Sequence, residues 1–89
     1  QATTLDVSNF DTSKVTNMSG MFQHSSNLKT IYVSSKFVTT AVTSSTNMFY
    51  NCTKLIGGAG TKYNGSYDDK TYARIDGGTS NPGYFTAKN

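Results

Sequence analysis

The sequence contains no glutamate, and only 15% of its 89 residues are charged. Glu and Lys commonly cover the surfaces of helices, whereas Ser, Thr and Asn, which are abundant here, favour turns, caps and strands. The composition therefore predicts few long helices and much extended or turn structure. Five Phe, six Tyr and three Met supply more apolar bulk than a disordered chain usually carries.

Cysteine is also scarce, since Cys52 is the only one. A single cysteine excludes an intrachain disulfide and a metal site built from several cysteines. No apolar run exceeds a few residues, so no signal peptide, transmembrane span or other membrane insertion is predicted within these residues. The chain could be a mature fragment or an excised piece of a longer protein.

Positive charge exceeds negative charge only modestly, with eight basic and five acidic residues and a net charge of +3. A nucleic-acid-binding surface would need basic residues clustered beside stacking aromatics. The lysines are instead spread along the chain without a cluster. The sequence therefore predicts a solvated surface and no nucleic-acid partner.

An internal repeat of about 26 residues is the most informative feature. The segment MFQHSSNL at residues 21–28 matches MFYNCTKL at 48–55, and LDVS at 5–8 matches IYVS at 31–34. Periods of 20 to 30 residues are typical of leucine-rich-repeat solenoids. Two units are predicted, at residues 5–30 and 31–57.

Each unit has an alternating segment that predicts a short strand. Ile31 and Val33 alternate with Tyr32 and Ser34. Because neighbouring residues of a strand face opposite sides, Ile31 and Val33 are expected to point inward and Tyr32 and Ser34 outward.

In each unit, the segment after the predicted strand has a different spacing of apolar residues. Val15, Met18, Met21 and Phe22 occupy positions i, i+3, i+6 and i+7, which is close to one helical face. A short helix or helical turn is predicted in each unit, more securely at residues 15–22 than at 42–49, where Ser45 replaces Met18.

Residues 58–89 break the period and are interpreted as a C-terminal cap. Solenoid arrays end in atypical units that shield the last layer of the core. Residues 70–75 alternate as a strand would, Asp76-Gly77 is a strong turn signal, and residues 83–86 could form the partner strand. We expect a small β-hairpin to seal the core.

The run LDVSNFDTSKVTNMSGMF at residues 5–22 closely resembles the repeat of bacterial surface proteins, about 26 residues long, found in BspA-like leucine-rich-repeat proteins and some mycoplasma lipoproteins. The tail resembles the terminator of such arrays. The second unit departs from the pattern, because Lys36 is inserted and residues 39–41 differ. The resemblance implies the C-terminal end of a repeat array at the bacterial cell surface or in a secreted protein, acting in adhesion or in binding host or neighbouring-cell ligands.

Together these observations predict an α/β-type, leucine-rich-repeat-like solenoid. Short parallel strands and short helical turns would form two units within residues 1–57, and a β-hairpin-like cap would occupy 58–89. A non-catalytic interaction module is the leading functional hypothesis. A structural spacer or end cap of a longer surface protein, with no ligand of its own, is the alternative.

Isolated reactive residues do not change this hypothesis. His24 has no nucleophile or carboxylate partner in the sequence pattern, and Cys52 is expected to be a small buried hydrophobe. Asp68, Asp69 and Asp76 lack the spacing of a calcium loop. No enzymatic activity, metal or cofactor is predicted.

The outward face of the strands is the best candidate for ligand binding, and the expected ligand is a protein or glycan at the cell surface. Solenoids present such faces to their partners, and exposed tyrosine is a frequent contact residue. Self-association through the uncovered N-terminal edge is also expected, because Leu5 begins a unit with nothing stacked before it. The residues predicted to line the binding face are Asp6, Ser8, Lys29, Thr30, Tyr32 and Ser34.

Overall fold

The computed structural model describes residues 3–88. Residues 1, 2 and 89, which belong to the predicted units 1–57 and 58–89, lie outside the described part. Between residues 3 and 88 no α-helix is present, and turns connect the few regular elements. These elements are strands β1 (Thr4–Asp6), β2 (Thr30–Val33) and β3 (Phe85–Ala87), and two single-turn 3-10 helices at Lys70–Tyr72 and Gly78–Ser80.

The three strands form one parallel sheet in the order β1-β2-β3. Leu5 pairs with Ile31, and Ile31 pairs with Phe85 on its other side. Ile31 and Phe85 are completely buried, whereas Leu5 on the edge strand is 36% exposed. The central strand therefore comes from the second repeat segment, and its two neighbours come from opposite ends of the chain.

The predicted repeat solenoid is wrong. The molecule measures 29 × 28 × 27 Å along its principal axes, so it has no long axis. It is a small globule with three short parallel strands and no α-helix in the described range. The reason is that β3, which follows the repeat segments, joins the sheet directly and closes the core around β2.

The predicted helical turns at residues 15–22 and 42–49 are also wrong. The amides of Met18 and Phe22 donate hydrogen bonds of 2.8 Å to the carbonyls of Ser44 and Met48 in the other repeat segment. In an α-helix each N–H donates to the carbonyl four residues before it. The amides of Met18 and Phe22 donate to the other repeat segment instead, so they do not form helical hydrogen bonds. Met18 and Phe22, two of the four residues whose spacing suggested a helix, are the inward positions of successive tight turns, whereas Met21 is exposed.

Aromatic rings fill the interior. Phe22 from the first segment stacks on Phe49 from the second, with 5.4 Å between ring centroids. The Phe85 ring packs edge to face against both of these rings, and the ring centroids of Tyr84 and Phe49 are 4.9 Å apart. Phe49, Tyr84 and Phe85 are fully buried. Such pairs contribute about 0.5–1.5 kcal/mol each beyond the burial of their area.

The predicted β-hairpin cap is wrong as well. Lys70–Tyr72 is a 3-10 helix capped by Asp69, whose side chain accepts a hydrogen bond from the Thr71 amide. Ile75 and Phe85 form an isolated bridge, but this bridge is parallel, which no hairpin allows. Phe85 is needed in the core beside Ile31, and this placement sets the direction of β3.

The carboxylate of Asp76 organises the turn that leads to β3. Its Oδ2 accepts hydrogen bonds from the amides of Ala59 and Thr61, both at 2.9 Å. Its Oδ1 accepts from the Thr61 hydroxyl at 2.7 Å and from the amides of Gly78 and Gly83 at 3.0 and 3.3 Å. One buried side chain therefore joins three pieces of irregular chain.

Gly57 lies where this cluster leaves no room for a side chain. A Cβ atom at residue 57 would come within 2.1 Å of the Gly83 carbonyl oxygen and 2.6 Å of Asp76 Oδ2. Only glycine permits this approach of two backbone segments.

Candidate ligand-binding surface

The outer face of the sheet carries a row of polar and aromatic side chains. Asp6, Tyr32 and Thr86 occupy matching positions on the three strands. Because neighbouring residues of a strand face opposite sides and Ile31 and Val33 are buried, the side chains of this row lie on the solvent side. We call Asp6, Tyr32, Thr86 and the adjacent Lys88 the sheet row.

Lys88 connects the members of the sheet row. Its ammonium nitrogen lies 3.3 Å from Asp6 Oδ2 and 5.0 Å from the centroid of the Tyr32 ring. An exposed ion pair of this kind adds at most about 1 kcal/mol to stability. These contacts matter more for orientation. Lys88 lies over the Tyr32 ring and pairs with Asp6, so both side chains have fewer directions available to them.

Asp6 is negatively charged throughout the neutral range. Hydrogen bonding to Ser8, whose amide is 2.9 Å from Oδ1, and the nearby Lys88 lower the pKa of Asp6 from 3.8 to about 2. The sheet row thus presents a fixed negative charge, an aromatic ring, a hydroxyl and a positive charge within one face. This arrangement suits polar recognition of a partner surface or of a sugar.

The structure brings several of the predicted binding residues together. Asp6 and Tyr32 are neighbours in the sheet row. Thr30 precedes Tyr32 by two residues, pairs with Thr4 and faces the same side. Ser8 lies in the turn after β1 and supports Asp6 rather than extending the face.

Two predicted residues have other surroundings. The Ser34 hydroxyl accepts a hydrogen bond of 3.2 Å from the Lys36 amide, so it shapes the turn after β2. Lys29 precedes β2 and lines a groove with Lys54, Lys62 and Tyr63, none of which belongs to the sheet row.

Thr86 and Lys88 were not among the residues predicted to line the binding face. Both follow the repeat segments, and no repeat position corresponds to them. A strand was predicted at residues 83–86, but its expected partner was the segment 70–75, whereas β3 pairs with β2.

A second exposed surface lies on the first repeat segment. A groove of about 400 Å³ is lined by Phe10, Val15, Met18 and Met21 among others. Phe10 is 48% and Met21 36% exposed, whereas the corresponding Phe37 and Met48 of the second segment are buried. The same apolar positions are thus covered in one segment and open in the other. We call this groove the N-terminal groove.

The single cysteine and the single histidine both take part in packing. The Cys52 thiol is buried and donates to the Phe22 carbonyl at 2.9 Å, and burial raises the pKa of this thiol. His24 adopts a left-handed backbone conformation with φ of 64° and packs against Tyr50.

Over the described residues, no group of three or more His, Cys, Asp or Glu is placed to hold a metal ion. In the same range, no helix has the length and apolarity needed to span a bilayer.

The fold and the sheet row define a small domain with a three-stranded parallel sheet and one open polar face. Residues 1–76 match the model of a family described as "Mycoplasma protein of unknown function, DUF285". Because the match covers most of the sequence, the chain belongs to this family. Strand β3 lies beyond the matched region. Searches of the curated proteins and of the solved structures gave no match.

Proposed function

We propose that this protein is a non-catalytic interaction module at the bacterial cell surface or in the secreted space, acting in adhesion or in binding host or neighbouring-cell ligands. The sheet row is the observation that carries the proposal. A half-buried tyrosine whose ring lies under a lysine that is itself paired with a carboxylate is a pre-oriented contact residue, and tyrosine is enriched where binding energy concentrates. The ligand class is a protein or glycan of the cell surface. The resemblance of residues 5–22 to bacterial surface repeats supports the location.

Replacing Tyr32 tests this proposal. On arrays of glycans and extracellular-matrix proteins, we expect Tyr32→Ala to weaken binding at least about tenfold, as loss of a central aromatic contact does. Tyr50→Ala is the matched control, because Tyr50 is 45% exposed and lies outside the sheet row. It should bind as the unchanged protein does. Equal binding by Tyr32→Ala and the unchanged protein would contradict the proposal, and absence of any array ligand would favour a spacer or end cap.

We further propose that the N-terminal groove is covered by a second copy of this chain. Strand β1 is an edge strand, so one side of its backbone lacks a strand partner among residues 3–88. Exposed edges and apolar grooves both favour association. Asp11 lines the groove and Lys14 follows shortly after it, so two copies related by a two-fold axis can place opposite charges together.

Self-association should be visible as a concentration-dependent mass. We expect light scattering after size exclusion to show dimer formation at high micromolar concentration, and Phe10→Ser to weaken it about tenfold by removing apolar contact area. Tyr50→Ser, a change at another exposed aromatic, serves as the control. A monomer at every concentration up to millimolar would rule out the second copy as the occupant.

A further inference from the structure

A third surface feature is a groove of about 460 Å³ with three lysines at its rim. Its volume lies within the roughly 300–1,000 Å³ of small-ligand sites. Lysines from distant parts of the sequence meet here, which the even spread of charge along the chain did not suggest. We call it the lysine groove, and it is lined by Lys29, Thr53, Lys54, Leu55, Ile56, Lys62 and Tyr63.

The backbone explains why these lysines converge. The Ile56 amide donates a hydrogen bond of 2.8 Å to the Lys29 carbonyl. On its other side, Ile56 forms an antiparallel bridge with Lys62. Lys54 precedes Ile56 by two residues and lies in the tight turn that the Leu55 amide closes by donating to the Cys52 carbonyl at 3.1 Å. The backbone positions of Lys29, Ile56 and Lys62 are therefore neighbours, and Lys54 lines the same groove from the preceding turn.

The charge of the lysine groove is not neutralised by its own lining. No carboxylate is among the lining residues. Within the described range, the salt bridge of the structure joins Lys88 to Asp6, and none involves Lys29, Lys54 or Lys62. Asp68 is near enough to act electrostatically on Tyr63, whose pKa is raised chiefly by burial, but Asp68 does not line the groove. The groove therefore attracts an anion.

The floor of the lysine groove is preformed. Tyr63 donates its amide to the Leu55 carbonyl at 2.9 Å, and its hydroxyl accepts from the Asn51 amide at 3.3 Å. Its ring lies 5.8 Å from that of Tyr84, which is fully buried. A fixed aromatic ring and the Ile56 side chain beside it offer an apolar surface of the kind on which the C–H face of a sugar ring packs. Binding would need little rearrangement of this floor.

We propose that the lysine groove binds an acidic oligosaccharide, with sulfate or carboxylate groups on the lysines and a sugar ring against Tyr63. Lysine suits this role as a compact point charge for an anionic group. Binding of a single-stranded nucleic acid uses successive stacking aromatics, whereas this groove offers one. The site is separate from the sheet row and does not depend on the function proposed for that face.

The probe is a sulfated tetrasaccharide, and the comparison ligand is a neutral tetrasaccharide of glucose. We expect titration calorimetry to detect binding of the sulfated sugar only, with affinity that falls as salt rises. Lys54→Gln combined with Lys62→Gln should weaken binding about tenfold, since each exposed ion pair contributes about two- to fivefold. Lys14→Gln combined with Lys36→Gln makes the same change in net charge outside the groove and should alter affinity less than twofold.

Amide NMR spectra separate this site from non-specific attraction. The sulfated sugar should shift the amide signals of Lys29, Ile56 and Lys62 and leave those of the sheet row unchanged. The same spectra show that each variant is folded. Equal loss of affinity in both double variants, equal binding of the neutral sugar, tighter binding of a single-stranded oligonucleotide, or absence of binding to the folded unchanged protein would each overturn the proposal.

Discussion

Asp76→Asn is expected to lower the free energy of unfolding at pH 7 by about 3 kcal/mol or more. Asp76 is 9% exposed and accepts from three amides, a hydroxyl and a fourth, longer amide contact. An asparagine would turn an NH₂ group toward some of these donors, and each buried donor left without an acceptor costs about 1–3 kcal/mol. Urea denaturation followed by circular dichroism measures the loss.

The same substitution should change the acid dependence of stability. Burial alone raises the pKa of Asp76, but hydrogen bonds from Thr61, Gly78 and Ala59 outweigh burial and lower it from 3.8 to about 2. Because the pKa is lower in the folded state, the carboxylate stabilises the fold above about pH 4, and this contribution is lost as the pH falls through 2. The difference in stability between the unchanged protein and Asp76→Asn should therefore narrow between pH 4 and pH 2.

Asp69→Asn is the control for this experiment. Asp69 also accepts an amide hydrogen bond, from Thr71 at 2.9 Å, but it is exposed and asparagine caps such turns equally well. We expect a change below about 0.5 kcal/mol. Similar small effects of both substitutions would show that the Asp76 cluster does not hold the turn together.

Phe85→Ala is expected to destabilise the protein by about 3–5 kcal/mol, the usual cost of emptying a fully buried phenylalanine site. The Phe85 ring contacts Phe37 at 4.7 Å, Phe49 at 5.8 Å and Phe22 at 6.1 Å between centroids. Its backbone pairs with Ile31 in the central strand. The cavity would therefore open where both repeat segments and the C-terminal segment meet. Thermal and urea unfolding provide the measurement.

Phe10→Ala removes the same side chain from an exposed position and serves as the comparison. Phe10 is 48% exposed, so at concentrations where the protein is monomeric the change should stay below about 1 kcal/mol. If the two substitutions cost the same, the core would not be organised around Phe85 as the structure shows.

The neighbourhood of the two repeat segments could be predicted from the sequence. Leu5 lies opposite Ile31, and Phe22 stacks on Phe49, as the repeated apolar spacing suggests. Apolar residues that recur in the same order all need to be buried, and adjacent copies of the repeat bury each other's equivalent residues. This local agreement did not determine the overall architecture, which is a globule with three nearly equal dimensions rather than a solenoid.

The helical turns and the hairpin were predicted wrongly because each of their sequence signals is compatible with two structures. Apolar residues three or four apart, such as Val15 and Met18, fit a helix and also a chain that turns repeatedly toward one core. The signal of Asp76 and Gly77 fits a hairpin turn, yet the carboxylate serves as an acceptor for distant amides. Only the long-range hydrogen bonds distinguish these alternatives, and spacing alone does not reveal them.

The candidate site was predictable only where it lies within the repeat. Asp6 and Tyr32 share a face because they belong to matching strands, and strand alternation identified both. Thr86 and Lys88 joined that face through the pairing of β3 with β2, whereas the sequence predicted a partner strand at residues 70–75. Lys29, Lys54 and Lys62 met through contacts between loops, which follow no period.

The position of β3 has a consequence for the growing polypeptide. During synthesis, the first half of the chain leaves the ribosome with Ile31 and Phe49 already present but without the residue that covers them, since Phe85 is translated much later. This apolar surface therefore stays accessible until Phe85 has emerged. A nascent chain stalled before Phe85 should be a target for chaperones and proteases, and one stalled after the full sheet has cleared the exit tunnel should resist both.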